Sequence, residues 1–315
     1  MKNIRRNILL GGVLITAVLA VAPVPTASGA PLESYVPEPY EITIRLNARA
    51  LLDHPLLDPV RLAHQNQFDE VANNVQLITG VDLRTDIDAI LLAGYLDDAR
   101  KDEGLILLQG RWDADRLVAA IRTNERFEEF RSDGWDVYGF WDNDNQRMVY
   151  GAFPAGDALV LGDRKGVEAV VAAGRKSLSD HPDYAPLLRA EDEGALIRAI
   201  ARRPANIQDG QPGAAAIKSL KAASLVINLE DGIAATLRID TTDAAMANNL
   251  SAIINGALAI GRLAQESKEL TWLANQVQLT TDQTSVRVDL RVSQEVIDQF
   301  IDANPLLRRL MGRPD

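Results

Sequence analysis

Apolar residues at every second position in the last third of this chain constrain its fold more than any other feature. The period of two is present at 225–229, returns at 233–239 and is found again at 286–292. Side chains of a β-strand point to opposite faces in turn, so these runs predict strands with one buried face and one face in water. The Glu-Asp-Gly segment at 230–232 favours a tight turn, and the first two runs therefore predict an antiparallel hairpin.

A long helix is predicted between this hairpin and the next pair of strands. Residues 243–266 are rich in alanine, and Thr242 precedes them as the expected N-cap. Strands at 277–279 and 286–292 and a final amphipathic helix follow, so the order in the second half is β-β-α-β-β-α. The expected buried stripe of the long helix has apolar residues at intervals of three or four: Met246, Leu250, Ile253, Ala257, Ile260 and Ala264.

The first half of the chain predicts a similar order of two strands, a helix, two or three further strands and a helix. These elements are expected at residues 89–96, 104–111, 113–121, 135–141, 147–153, 158–161 and 164–175. We therefore predict an α+β fold of two tandem β-β-α-β-β-α-like modules, with mainly antiparallel sheets and helices packed on one face. The modules are expected at 40–175 and 216–315, and the proline-containing residues 176–215 are expected to form a helical linker between them.

Three basic residues precede an apolar run at the N-terminus. The run covers residues 8–22 and is shorter than the roughly 20 residues of a transmembrane helix, which is typical of an export signal. We expect residues 1–30 to be a signal peptide that is removed, or to remain as an inner-membrane anchor through residues 8–22. Residues 31–39 are then a proline-rich tether. Both alternatives predict an extracytoplasmic body, periplasmic or secreted.

Composition indicates a globular and acidic body. Hydrophobic residues make up 47% of the chain and charged residues 24%, as in packed domains, and the absence of cysteine excludes disulfides and thiolate metal sites. The formal net charge is −11, and loss of residues 1–30 with their three basic residues makes it −14. Because such a charge repels phosphate groups, we expect no nucleic-acid partner, and membrane contact only through the N-terminal segment if it is retained.

The sequence lacks the common motifs of catalysis and cofactor binding. It contains no G-x-S-x-G turn, no phosphate-binding loop and no G-x-G-x-x-G fingerprint, and its three histidines lack the spacing of metal ligands. Asp82, Asp86 and Asp88 are close enough in sequence to act as paired carboxylates, although Asx turns explain the same residues. We expect no cofactor and no metal, and the sequence leans away from an enzyme.

One predicted strand carries four aromatic residues and is the best candidate for a ligand-binding surface. Trp135 and Trp141 are expected on one face of the strand, and Tyr138 and Phe140 on the other. One of the two pairs can then line a groove for an apolar or sugar-like ligand. Packing of both faces in a core explains the same residues, so the two alternatives remain open.

A set of strand and turn patterns lies at residues 79–92, at 110–112 where a strand ends, and at 158–163 before a helix. Within residues 55–175 this set resembles a family of uncharacterised exported bacterial proteins of unknown function. The resemblance implies an exported bacterial α+β protein, and it carries no catalytic residues with it.

These observations favour an exported, non-catalytic binding or scaffolding protein whose partner is an unknown protein or an apolar small molecule. A periplasmic carrier or chaperone for an apolar ligand such as a lipid is the alternative, because the helix at 243–266 can leave a cavity above a half-open sheet. A hydrolase that uses Asp82, Asp86 and Asp88 is the third hypothesis.

Overall fold

The computed structural model describes residues 30–55, 58–96, 100, 103–143, 145–172, 174–188, 194–204, 217–229, 232–263 and 268–303. Several predicted features lie outside this part of the chain: the signal segment 1–29, linker residues 205–215, turn residues 230–231 and helix residues 264–266. The chain divides into two compact units. Unit 1 lies within Met1–Tyr40 and Arg45–Asp180, and unit 2 within Glu41–Ile44 and His181–Asp315.

Unit 1 is an antiparallel sheet with helices. Strand β1 (Ile42–Leu46) crosses the division between the units. The elements that follow are α1 (Ala48–Leu52), α2 (Asp58–Thr79), β2 (Ile87–Gly94), β3 (Leu105–Gly110), α3 (Ala114–Ile121), β4 (Glu128–Ser132), β5 (Trp135–Asp142), β6 (Arg147–Ala155), β7 (Ala158–Gly162) and α4 (Arg164–Val171). The strand order is β2-β3-β7-β6-β5-β4, and short 3-10 turns lie at Leu32–Tyr35 and Leu178–Asp180.

Both faces of the central strands of unit 1 are covered. On one face, Ile90 and Leu108 are buried against Ala48 of α1. On the opposite face, Leu105 lies so close to Gly166 of α4 that a Cβ added to the glycine would be 2.9 Å from it. The predicted placement of helices on one face is therefore wrong for unit 1. The nearly continuous apolar sequence of β2 and β3 is the physical reason, because such strands are buried on both sides.

Unit 2 is also built on antiparallel strands, with three α-helices among its described residues. Its elements are a 3-10 turn (Ala185–Leu187), β8 (Ile197–Arg202), β9 (Leu220–Leu229), β10 (Gly232–Thr241), α5 (Ala244–Leu263), α6 (Lys268–Gln276), β11 (Val277–Asp282), β12 (Ser285–Ser293) and α7 (Gln294–Ala303). The strand order is β11-β12-β10-β9-β8. Strand β8 lies within the segment that was predicted to be a helical linker.

The period of two in the sequence sets the register of unit 2. Leu237 of β10 lies opposite Val288 of β12, and the neighbouring pairs bring further aliphatic residues to the same face. Helix α5 lies over this face. Thr281 of β11 pairs with Val286 of β12, and the Thr281 hydroxyl donates a hydrogen bond to the hydroxyl of Ser251 in α5 at 2.9 Å. The predicted α+β class and the antiparallel pairing of the strands are confirmed.

Burial of β9 is the reverse of the expected pattern. Ser224 and Val226 are buried, whereas Leu225 and its apolar neighbours at every second position are only half-buried. The neighbouring strand is the reason. Strand β8 places the buried residues Ile200 and Arg198 opposite Ser224 and Val226, so this face is packed although one of its residues is polar.

Residues 41–44 belong to unit 2 although they lie between two segments of unit 1 in the sequence. The N–H of Arg202 donates to the carbonyl of Glu41 at 2.8 Å. The hydroxyl groups of Thr43 and Tyr184 are hydrogen-bonded to each other. A short part of unit 2 is therefore supplied before most of unit 1 in the sequence.

Aspartate side chains cap three helices that follow strands. Each carboxylate accepts a hydrogen bond from the N–H three residues later, at 2.9–3.0 Å: Asp113 from Arg116, Asp163 from Gly166 and Asp243 from Met246. The cap predicted at Thr242 is wrong by one residue, because the Thr242 hydroxyl instead donates to the Asp243 carboxylate at 3.1 Å.

Candidate binding sites

Helix α5 exposes a row of large aliphatic side chains. We call Ile253, Ile260 and Leu263 the outer stripe; they are 70%, 73% and 77% exposed. Spacings of seven and three residues place them on one side of the helix. Two of them, Ile253 and Ile260, belonged to the predicted buried stripe, so that part of the prediction is wrong.

A second set of apolar residues packs against the sheet instead. Ala247 is buried, and Met246, Leu250, Ile254 and Leu258 are half-buried at helical spacing. Helix α5 is therefore apolar on two sides. By length and composition it is apolar enough to cross a membrane, and 6% of its most apolar 18-residue window is buried.

Polar contacts attach α5 to its neighbours without adding charge to the outer stripe. Besides the Ser251–Thr281 hydrogen bond, the Arg262 Nε donates to the carbonyl of Ala274 in α6 at 3.3 Å. Arg262 is the sole charged residue in the α5 sequence. The outer stripe is thus an uncharged aliphatic surface on the side of the helix away from the residues that pack against the sheet.

The predicted aromatic residues separate into two groups in the structure. Phe140 and Trp141 line a groove of about 500 Å³ in unit 1, which we call the aromatic groove. Trp135 and Tyr138 do not line it: Trp135 is exposed at the start of β5, and the Tyr138 ring packs edge-on against Phe153 with centroids 6.4 Å apart. No ligand role of these residues is tested by this placement, and the binding function stays a prediction.

Three further residues of the aromatic groove could not be found from the strand pattern. Ile78 comes from the end of α2, Ile121 from the end of α3, and Arg126 from the loop that follows α3. One sequence signal was available, because Leu77 and Ile78 are adjacent. Neighbouring residues on a helix point in different directions, so Leu77 and Ile78 do not both face the same core, and one of them is expected to be exposed.

The three aspartates of the hydrolase hypothesis have separate partners. Asp82 accepts from the Arg84 Nε at 2.8 Å, and Asp88 accepts from the Arg49 Nε at 2.9 Å. Asp86 instead accepts from the backbone N–H of Asp82 at 2.8 Å. Each of these carboxylates is thus held by a different donor, and the arrangement favours a structural role in the turn before β2.

A polar groove of about 920 Å³ lies along the sheet of unit 2. Asp289 accepts from Arg287 at 2.8 Å and from the Thr236 hydroxyl at 2.6 Å. Burial opposes ionisation of Asp289, but these hydrogen bonds and the charges of Arg287 and Arg291 outweigh it and lower its pKa. The carboxylate is therefore held ionised by Arg287 and Thr236 on this face of the sheet. This arrangement gives no support for acid–base chemistry.

Metal ligands do not cluster in the described part of the chain, where no three His, Cys, Asp or Glu side chains come together around one point. The predicted absence of a metal site is not tested further by this.

Comparison with known proteins gives a likeness of fold only. No protein-family model and no curated protein sequence matches the chain. Crystal form III of TP0453, a Treponema protein, is similar to 89% of this chain over 100% of its own length, with 11% identity and a TM-score of 0.41. Crystal form I of the same protein is similar to 88% of this chain over 98% of its own length, with 11% identity and a TM-score of 0.42. Crystal form IV is similar to 87% of this chain over 97% of its own length, with 11% identity and a TM-score of 0.44. These values carry no argument about ligand or activity.

Proposed function

We propose that this is an exported, non-catalytic protein that binds the surface of an uncharged or zwitterionic lipid bilayer through the outer stripe. The observation that carries the proposal is the exposure of Ile253, Ile260 and Leu263 on one side of a helix with no charge among them. An apolar helix face of this kind is the usual means by which a folded protein lies on a membrane.

The apolar surface is large enough to matter energetically. Complete burial of an aliphatic side chain is worth about 1.5–3 kcal/mol. Because each residue of the outer stripe is roughly three-quarters exposed, their transfer to lipid is worth about 3–6 kcal/mol in total. That corresponds to a roughly 10²- to 10⁴-fold preference for the bilayer, which fits reversible binding and does not fit permanent insertion.

Charge selects the kind of lipid. The body without residues 1–30 has a formal charge of −14, and anionic headgroups repel it. The outer stripe itself carries no charge. We therefore propose zwitterionic lipid as the partner, with binding that changes little with salt. This extends the expectation from the sequence, which placed membrane contact in the N-terminal segment only.

Surface binding is favoured over the enclosed carrier of the second hypothesis. Neither of the two grooves described above is lined by α5, which supports contact of this helix with a lipid surface more than enclosure of a lipid beneath it. A scaffolding role remains compatible with lipid contact, since the polar sheet face of unit 2 stays accessible when the outer stripe faces a membrane.

We also propose that the two units arose by duplication, as the sequence predicted. Two observations support this. Strands β2-β3-β7-β6 and β9-β10-β12-β11 follow the same order, with β4 and β5 additional in unit 1. The helix after β3 and the helix after β10 also start at equivalent aspartate caps, Asp113 and Asp243. Homologues that lack β4 and β5 but keep β6 and β7 would strengthen the proposal.

Flotation with phosphatidylcholine vesicles tests the lipid-binding proposal. The protein is isolated after export, with the state of residues 1–30 verified by mass spectrometry, and the form without these residues is used. We expect it to float with vesicles at low and at high salt. The double variant Ile253→Asn, Ile260→Asn is expected to lose binding at least about tenfold. Leu62→Asn, which changes an aliphatic residue of similar exposure on α2, is the matched control and is expected to bind normally.

Two results would contradict the proposal. One is equal flotation of the double variant and the unchanged protein. The other is failure of the unchanged protein to bind vesicles while it forms a dimer that the double variant loses, because the outer stripe would then be a contact between two copies of the chain. Sedimentation velocity on both proteins separates these outcomes.

A further inference from the structure

The aromatic groove has the size and chemistry of a small-ligand site. It lies where the C-terminal ends of α2 and α3 meet the end of β5, and its volume of about 500 Å³ falls within the range of small-molecule sites. Ile78, Ile121, Phe140 and Trp141 supply apolar lining, and Arg126 supplies a cation. We propose that the aromatic groove binds a planar aromatic anion.

The position of Arg126 carries the assignment of charge. Its guanidinium carbon lies 4.2 Å from the centre of the Trp141 ring, a cation–π contact that holds the cation over an apolar surface. Within the described residues, the guanidinium has no carboxylate partner. A guanidinium has five N–H donors in a plane, and a carboxylate or sulfonate accepts two of them. Glu125 also lines the aromatic groove and its carboxylate repels an anion, so the anionic group belongs at the Arg126 guanidinium, with the rings toward Ile78 and Ile121.

The wall that carries Arg126 is fixed before any ligand binds. The Asn124 Oδ1 accepts from the N–H groups of Arg126 at 3.0 Å and Trp141 at 3.2 Å, and the Asn124 Nδ2 donates to the Trp141 carbonyl at 3.0 Å. The N–H of Phe127 then donates to the Asn124 carbonyl at 3.2 Å. A loop held in this way loses little freedom on binding, which favours affinity for a rigid ligand.

Two fluorescent probes that differ in charge test this inference. Anilinonaphthalene sulfonate is an aromatic anion with a planar naphthalene ring, and phenylnaphthylamine has the same rings without the sulfonate. Arg126→Gln is expected to weaken binding of the sulfonate about tenfold and to change binding of the neutral probe by less than about twofold. Ile78→Asn, at an exposed position that tolerates a polar residue, is expected to weaken binding of both probes.

The double variant Ile253→Asn, Ile260→Asn serves as the control for binding at the outer stripe. The inference is overturned if Arg126→Gln affects both probes equally or neither of them, or if only the double variant loses probe binding. Far-UV circular dichroism establishes that each variant is folded. Because the aromatic groove and the outer stripe are in different units and share no residue, failure of this test leaves the lipid-binding proposal standing, and failure of vesicle flotation leaves this one standing.

Discussion

The Asn124 side chain is expected to stabilise unit 1 by replacing a missing strand. Strand β4 begins at Glu128, which pairs with Gly139, so Trp141 lies beyond the end of β4 and has no strand partner on that side. The Asn124 amide takes this place, since it donates to the carbonyl of Trp141 and accepts from its N–H. The same Oδ1 also accepts from the N–H of Arg126.

Asn124→Ala removes all three of these hydrogen bonds. Each is worth about 0.5–1.5 kcal/mol net, so the free energy of unfolding should fall by about 1.5–4.5 kcal/mol. Urea unfolding followed by tryptophan fluorescence measures this fall as a lower midpoint with an unchanged slope. Because the wall of the aromatic groove is loosened by the same change, binding of the sulfonate probe should weaken as well.

Asn143→Ala is the matched control for this prediction. Asn143 is an exposed residue of the β5–β6 turn, and within the described residues only its backbone carbonyl accepts a hydrogen bond, from Gln146. Its replacement should change the free energy of unfolding by less than about 0.5 kcal/mol. If Asn124→Ala changes stability no more than Asn143→Ala does, the amide does not hold the end of β5 and the reasoning is refuted.

Three further predictions concern packing, capping and pH. Leu107 is fully buried, so Leu107→Ala should lower the free energy of unfolding by about 2–5 kcal/mol, whereas Leu77→Ala, at a position 79% exposed, should lower it by less than about 0.5 kcal/mol; urea titration of both decides this. Asp113→Ala should cost about 1 kcal/mol in the same assay, and Asp113→Asn, which keeps the acceptor, much less. The hydrogen bond from the Met246 N–H and one from the neighbouring threonine hydroxyl lower the pKa of Asp243. The ionised cap therefore stabilises the fold at pH values above the unfolded carboxyl pKa of about 3.9. This stabilisation is lost as the pH falls through the lower pKa of the folded protein. Asp243→Asn should therefore flatten the acid side of the stability profile, and an unchanged profile would speak against this cap.

Strands whose own sequence alternates between apolar and polar residues were predictable. Strands that depend on pairing with a neighbouring strand were not. Leu237 and Val288 belong to alternating runs, and the structure places them opposite each other. Strand β4 reads Glu-Glu-Phe-Arg-Ser and has no apolar face of its own, so its identity comes from pairing with β5. Strand β8 was missed for a different reason. Arg198 interrupts it, and an arginine is expected in water, but here it is buried.

The candidate sites show the same division between local and distant information. Four aromatic residues on one strand made β5 a candidate, and two of them, Phe140 and Trp141, line the aromatic groove. Ile78 and Arg126 join them only through the tertiary fold, which no local spacing encodes. In α5 the difficulty was ambiguity. Apolar residues surround most of the helix, so helical periodicity did not distinguish the stripe that faces the sheet from the outer stripe.

The early position of residues 41–44 has a consequence for how the protein can be divided and made. Thr43 and Tyr184 are hydrogen-bonded although 141 residues separate them. During synthesis from the N-terminus, this short segment has no partner until more than half of the polypeptide has been made, and closing so long a loop is slow. A fragment that starts at His181 lacks the strand beside β8 and leaves an open edge that invites pairing between molecules. Expression of the C-terminal half as a separate piece therefore requires grafting residues 41–44 onto it.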